Sequence, residues 1–240
     1  MRASHEKFSW AKGLISPSGG LLWHMRAWHN RSNWWRFNAA ISEWLDSWPH
    51  GSTGLLLLGP SAGWCLPDTF LCRFSHIHAV DLDPSAPVLF RWLHGRALAR
   101  CGVRLNWQRD NLFDAIGPLL ERYPQHAVLF SNVLGQHGLN QRQPGRVEAD
   151  FADLGRQLQG RRWASFHDRL SGELLDTRAE PPALRFAAGE DTLTLARIAG
   201  AGAWIDHLTE TLLPADWTRL LLPWPICHGR LHWIEAGYGE

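Results

Sequence analysis

The pattern of hydrophobic and polar positions changes character near residue 54. Upstream, apolar residues recur at helical spacing. Leu21, Leu22, Met25 and Trp28 fall on one face, and Phe37, Ile41, Trp44, Leu45 and Trp48 form a second stripe behind Ser32, a candidate N-cap. Ser-Pro-Ser-Gly-Gly at 16–20 reads as a loop before them, and Pro49-His50-Gly51 ends the second helix. From Gly54 onward short apolar runs alternate with helical stripes. Leu55–Leu58, His76–Val80, Val103–Trp107, Ala127–Ser131 and Trp163–Phe166 are predicted strands. Between them lie helices starting near Pro67 and Pro84, a stripe at Ile116, Leu119 and Leu120, and another at Val147, Phe151, Leu154 and Leu158. Repeated strand–helix units imply a doubly wound α/β fold, with a mainly parallel sheet and helices on both faces. Residues 1–50 are then an N-terminal helical extension, and 51–240 the α/β domain. After Pro181-Pro182 the pattern weakens. Leu193–Ile198 and Arg230–Ile234 read as strands, with a helix expected somewhere in Ile205–Leu213.

The first strand runs straight into Gly59-Pro60-Ser61-Ala62-Gly63. Two chemistries use such a turn. In a nucleophile elbow Ser61 would attack, with Asp168 and one of His207, His228 or His232 completing a triad. In a doubly wound sheet a glycine turn after the first strand lets a ligand approach the backbone, with its N–H groups free to face an anionic group. Asp81 closes the second strand 22 residues after Gly59, where an acidic side chain can accept hydrogen bonds from both hydroxyls of a ribose. Several strands should precede a nucleophile elbow, whereas everything upstream of Leu55 reads as helix.

Four stretches then fall in order: Gly59-x-Ser61-x-Gly63, Val80-Asp81-Leu82-Asp83-Pro84, Arg109-Asp110-Asn111-Leu112-Phe113 and Leu129-Phe130-Ser131-Asn132-Val133-Leu134. Together they resemble the successive cofactor motifs of class I S-adenosylmethionine-dependent methyltransferases, over roughly residues 54–170. The resemblance implies a seven-stranded sheet and S-adenosylmethionine as cofactor. It places the backbone of Gly59, Ser61 and Gly63 against the methionine part, Asp81 on the ribose and Leu82 on the adenine. Asp110 accepts the adenine amino group beside Asn111 or Leu112, and Asn132 borders the donor methyl. The sequence departs from the family at Leu57, where an acidic residue is usual, at Ser61 in place of the middle glycine, and at Pro60, which removes one backbone donor. Those departures support the alternative of a non-catalytic, methyltransferase-like binding protein. A G-x-G-x-x-G dinucleotide fingerprint is not complete here.

Methyl transfer needs a base only when the acceptor must lose a proton. His137 and His167 follow the fourth and fifth strands and are the candidate bases. Charge narrows the partners: 24 Lys+Arg against 23 Asp+Glu give a formal net charge of +1, spread along the chain, which argues against nucleic acid and for a small-molecule substrate. The four cysteines show no CxxC spacing and read as core thiols; no metal site is expected, His76 and His78 lacking a third ligand. No apolar run reaches the roughly 20 residues of a membrane span. The first 20 residues lack the apolar core of a signal peptide, so a cytoplasmic location is expected. Fifteen tryptophans, read as core and surface anchors or as an aromatic pocket, leave the oligomeric state undetermined.

Overall fold

The computed structural model describes residues 20–141, 143–173, 182–186 and 204–239. The helical extension begins with α1 (Gly20–Asn30), passes through a 3-10 turn (Arg31–Trp34) and continues as α2 (Trp35–Ser47). Strands β1 (Gly54–Leu58), β2 (His76–Val80), β3 (Arg104–Gln108), β4 (Ala127–Ser131) and β5 (Trp163–Glu173) follow, separated by α3 (Asp68–Leu71), α4 (Ala86–Arg100), α5 (Leu112–Arg122) and the pair α6 (Leu134–Gln141) and α7 (Pro144–Gln157). The chain ends with β6 (Leu184–Phe186), β7 (Trp204–Asp206), β8 (Arg219–Cys227) and β9 (Arg230–Tyr238).

All nine strands form one sheet, ordered β3-β2-β1-β4-β5-β9-β8-β6, with β7 also paired to β5. β1 to β5 pair in parallel, while β9 runs antiparallel to both β5 and β8, so β8 points the same way as β5. The doubly wound, mainly parallel architecture is therefore present, with nine strands among the described residues where seven were expected. The extra strands are β6 and β7, both of three residues. The helix expected within Ile205–Leu213 is replaced by β7 and turns: Ile205 pairs with Ser171, and the apolar run is short enough for edge pairing to win over helix. Leu193–Ile198 and the loop at 16–19 lie outside the described residues.

Every residue of β1 is buried, because helices cover both faces of the sheet. Leu55 and Leu57 join one core with α1 to α4, whereas Leu56 and Leu58 join the other with α5 and α7. The helical extension is part of the first core, not an appendage: Trp34, Phe37, Ile41 and Trp44 are buried in it. Trp23, Trp34 and Phe37 surround Trp224 of β8, with ring centroids 5.9, 5.0 and 4.7 Å from it. Cys72 and Cys101, read as core thiols, are joined as a disulfide between the ends of α3 and α4, Cα atoms 5.7 Å apart.

Candidate functional site

The carboxyl ends of β1, β2, β4 and β5 lie side by side, and the loops leaving them make one rim. Gly59 adopts φ +66, and a Cβ there would stand 2.2 Å from that of Val133, so glycine is required twice over. Its N–H donates to the Val80 carbonyl at 2.8 Å. Ser61 takes φ +53, where serine is strained, and its N–H donates to Asp81 Oδ2 at 2.7 Å. The Gly63 N–H donates to the Pro60 carbonyl at 2.8 Å. These three amides are thus turned inward and Pro60 has none, so none of the three faces an anionic ligand as the glycine turn suggested.

Asp81 is the hub of this end. Oδ2 accepts from Ser61 and Oδ1 from the Asp83 N–H at 2.8 Å. Burial pushes its carboxyl up to about 6 despite those two bonds, and the neighbouring Asp83 carboxylate adds to the rise. A carboxylate has roughly four acceptor positions, so two remain for a ligand. Leu82, beside it, is 44% exposed and offers an apolar surface at the rim. Arg109 Nε donates to the Leu82 carbonyl at 3.1 Å, tying the loops after β2 and β3. Asp110 accepts from its neighbour Asn111 N–H and from Gln108 Nε2. Asn111 is the N-cap of α5, its side chain accepting from the Phe113 N–H, and Leu112 is turned into the core.

The ends of β4 and β5 carry more side-chain chemistry. Asn132, at φ +54, accepts from the Asp168 N–H at 2.9 Å. Asp168 Oδ1 accepts from His232 Nδ1 at 2.6 Å, with Gln136 Nε2 at 3.5 Å from Oδ2. Burial opposes ionisation of Asp168, but the adjacent His232 and His207 and the Asn132 side chain hold its carboxyl below the usual range. Beside it His207 bridges the Gly135 carbonyl and the Ser171 hydroxyl at 3.0 and 2.9 Å; burial holds its pKa down. This crowding is possible because α6 carries Gly135 and Gly138. Added Cβ atoms would come within 2.8 Å of Asp168 and 2.0 Å of the His207 carbonyl. Gly135-x-x-Gly138, glycines on one helix face, is the sequence signal that marks this approach.

The two predicted bases land elsewhere. His137 lies in α6, its Nε2 2.8 Å from Asp150 of α7 and its ring stacked on Phe113 at 3.8 Å. His167 does not follow β5 but sits inside it, because β5 continues to Glu173. It is wholly buried, 2.9 Å from Ser165 Oγ and 3.4 Å from Glu235 Oε2, and therefore cannot face the rim. His232, named from the sequence only as one of three possible triad partners of Asp168 and not as a base for methyl transfer, lies on β9 opposite Ser171 and is 20% exposed. Nothing near it in sequence marks it; β9 reaches Asp168 only through strand pairing. That pairing also separates it from Ser61. Three inter-strand steps divide β1 from β9, about 14 Å, so Ser61 and the Asp168–His232 pair do not form the triad of a serine hydrolase.

The helical extension closes one side of the rim. Trp64 Nε1 donates to His24 Nδ1 at 3.1 Å, and His24 Nε2 donates to Asp83 Oδ2 at 2.8 Å, which also accepts from the Gly20 N–H. α1 is thereby stapled to the loops after both β1 and β2. Hydrogen bonds from His24 and Ser85 overcome burial and bring the Asp83 carboxyl down to about 2. Among the described residues no group of three or more His, Cys, Asp or Glu is placed to hold a metal ion.

No protein-family model and no curated protein matches the chain. Solved structures with a similar fold include three methyltransferases. The glycopeptide N-methyltransferase MtfA complexed with S-adenosylmethionine shares 13% identity at a TM-score of 0.43, over 83% of this chain and 92% of that one. N-methyltransferase NodS from Bradyrhizobium japonicum WM9, in complex with S-adenosylhomocysteine, shares 13% at 0.37, over 79% of each. CalS10, an amino pentose methyltransferase from Micromonospora echinaspora, bound to S-adenosylmethionine, shares 17% at 0.33, over 85% of this chain and 75% of that one. At these similarities the function rests on the chain's own geometry.

Proposed function

We propose that this chain is an S-adenosylmethionine-dependent methyltransferase acting on a small molecule. The observation that carries the reading is Asp81: a carboxylate at the end of β2, held by neutral backbone donors, with unfilled acceptor capacity and an exposed Leu82 beside it. A ribose supplies two hydroxyl donors, and an adenine supplies the apolar face that Leu82 would cover. The inward-turned amides of Gly59, Ser61 and Gly63 fit a ligand without phosphate and disfavour a pyrophosphate-bearing dinucleotide, which needs those donors. In this reading Gly59, Ser61 and Gly63 shape the wall beside the methionine part. Asp110 and Asn111 stand on the adenine side, and Asn132 borders the reacting end.

S-adenosylmethionine, when bound, supplies an electrophilic methyl group. The chain's contribution is to orient the acceptor and remove its proton. Asp168 fixes the proton of His232 on Nδ1, which leaves Nε2 to take a proton from an acceptor hydroxyl or amine. Asn132 ties this pair to the cofactor side through its bond to the Asp168 N–H. In this reading His232 replaces His137 and His167 as the base. The test is calorimetric titration of the folded protein with S-adenosylmethionine and S-adenosylhomocysteine, alongside Asp81→Asn. Micromolar binding that the variant weakens at least tenfold supports the reading. Absence of binding to either compound refutes the cofactor, and binding without turnover of any acceptor leaves the non-catalytic alternative.

A further inference from the structure

The outer face of α1 and α4 has no role in the site above. α1 buries Gly20, His24 and Ala27 and exposes Leu21, Leu22, Met25 and Trp28 on its other side. α4 exposes Val88 and Trp92, one turn apart, at 68% and 62%. The two ridges are continuous, since the Trp28 and Trp92 rings lie 5.3 Å apart. Scattered exposed apolar residues need no explanation, but six on two adjoining helices form a patch.

Charge identifies what would cover it. Arg26, Arg31, Arg91, Arg96 and Arg100 are exposed on the same elements. Residues 20–42 and 84–109 contain no Asp or Glu. Asp83, just before α4, and Asp68 are paired with His24 and His94. Arg31 lies 3.3 Å over the Trp28 ring, holding a cation at the edge of the apolar ridge. Between the helices opens a cavity of about 670 Å³, walled by Trp28, Trp64 and Leu93, with the exposed His29 and Arg31 in its lining. A ridge of Leu, Met and Trp flanked by arginines suits a fluid, negatively charged surface, in which apolar side chains sink between acyl chains and cations meet headgroups.

We propose that the α1–α4 face docks onto an anionic lipid bilayer, lying on it without crossing. No helix among the described residues is long and apolar enough to span a membrane, and peripheral binding needs none. The inference stands apart from the cofactor assignment, since it uses other residues.

The test is co-sedimentation of the full chain with large unilamellar vesicles, of phosphatidylcholine alone or with phosphatidylglycerol admixed. Binding is expected at least tenfold stronger to the anionic vesicles and weakened by salt. Met25→Glu should lower partitioning about tenfold, and Arg91→Gln and Arg96→Gln about fivefold each. All three positions are exposed, and thermal unfolding confirms that the variants fold. Equal binding to neutral vesicles overturns the proposal, as does no binding by the folded wild type. Sedimentation velocity gives a third reading: a dimer that Met25→Glu dissociates assigns the face to a second copy of the chain and also overturns it.

Discussion

Asp81 and Asp168 are two crowded carboxylates on the same rim, and they are displaced in opposite directions. Asp81, after β2, meets the N–H groups of Ser61 and Asp83 and the like charge of Asp83; its carboxyl rises to about 6. Asp168, in β5, meets His232 at 2.6 Å and has His207 nearby; it falls below its ordinary value. Both lose hydration on folding, so the difference lies in what replaces the water. Neutral backbone dipoles alone do not compensate Asp81, while imidazole partners more than compensate Asp168. The β1–β2 end is therefore left electrostatically less compensated than the β4–β5–β9 end. At the β4–β5–β9 end the carboxylate is held by its imidazole partner.

The largest disruption should come from steric crowding at the first end. Gly59→Ala combines φ +66 with the Val133 clash and should cost roughly 3–5 kcal/mol in urea unfolding. Val133→Gly, which removes the Cβ that the added methyl would strike, should recover part of the loss when combined with it, leaving the backbone strain. A fully additive double mutant would show that the two residues do not meet.

Next in size is Asp168→Asn, which weakens the bond to His232 and should cost about 2–3 kcal/mol at neutral pH. Because folding depresses this carboxyl, its contribution is full above the ordinary value near 4 and lost as the pH falls through the folded value. The gap between wild type and variant should therefore close under acid. A gap that is constant down to the lowest pH at which both fold would contradict the ionised pair.

Asp81 should behave the other way round. Its folded pKa lies above the unfolded one, so stability declines as the pH rises from about 4 to 6, by roughly 1–2 kcal/mol after allowing for its partial exposure. Asp81→Asn should remove that slope. Cofactor affinity should fall about tenfold per pH unit below about 6, as the carboxylate acceptor is protonated; calorimetry across pH 5 to 7 reads it, and a flat profile would remove Asp81 from the ligand. The smallest effect is a gain. Ser61→Gly relieves φ +53 at the cost of added unfolded-state freedom, for a net stabilisation of about 0.5 kcal/mol. A loss instead would mean that the Ser61 side chain contributes to the turn.

The β1–β2 end was legible in the sequence because its parts are local. Gly59, Ser61 and Gly63 stand in one turn, and Asp81 follows the next strand in a parallel unit whose handedness is fixed. The alternation of Leu55–Leu58 between two cores likewise follows from the period of a strand covered on both sides. His167 shows where such reasoning stops. Its distance from the strand end depends on how far β5 runs, and β5 is extended to Glu173 by antiparallel pairing with β9, some 60 residues later in the chain.

From local order alone the sequence determined the strand–helix alternation, the glycine turn after β1 and the acidic residue at the end of β2. Each depends on steric preference or on neighbours within a few tens of residues. Only the tertiary structure decided that the loop amides turn inward, that α1 is stapled to Asp83, and that His232 rather than His137 or His167 meets Asp168. Those outcomes depend on which strand lies beside which and in what register. A histidine on an alternating strand has the same local pattern whether it faces solvent or a buried carboxylate. Burial and partner are supplied by the opposite strand.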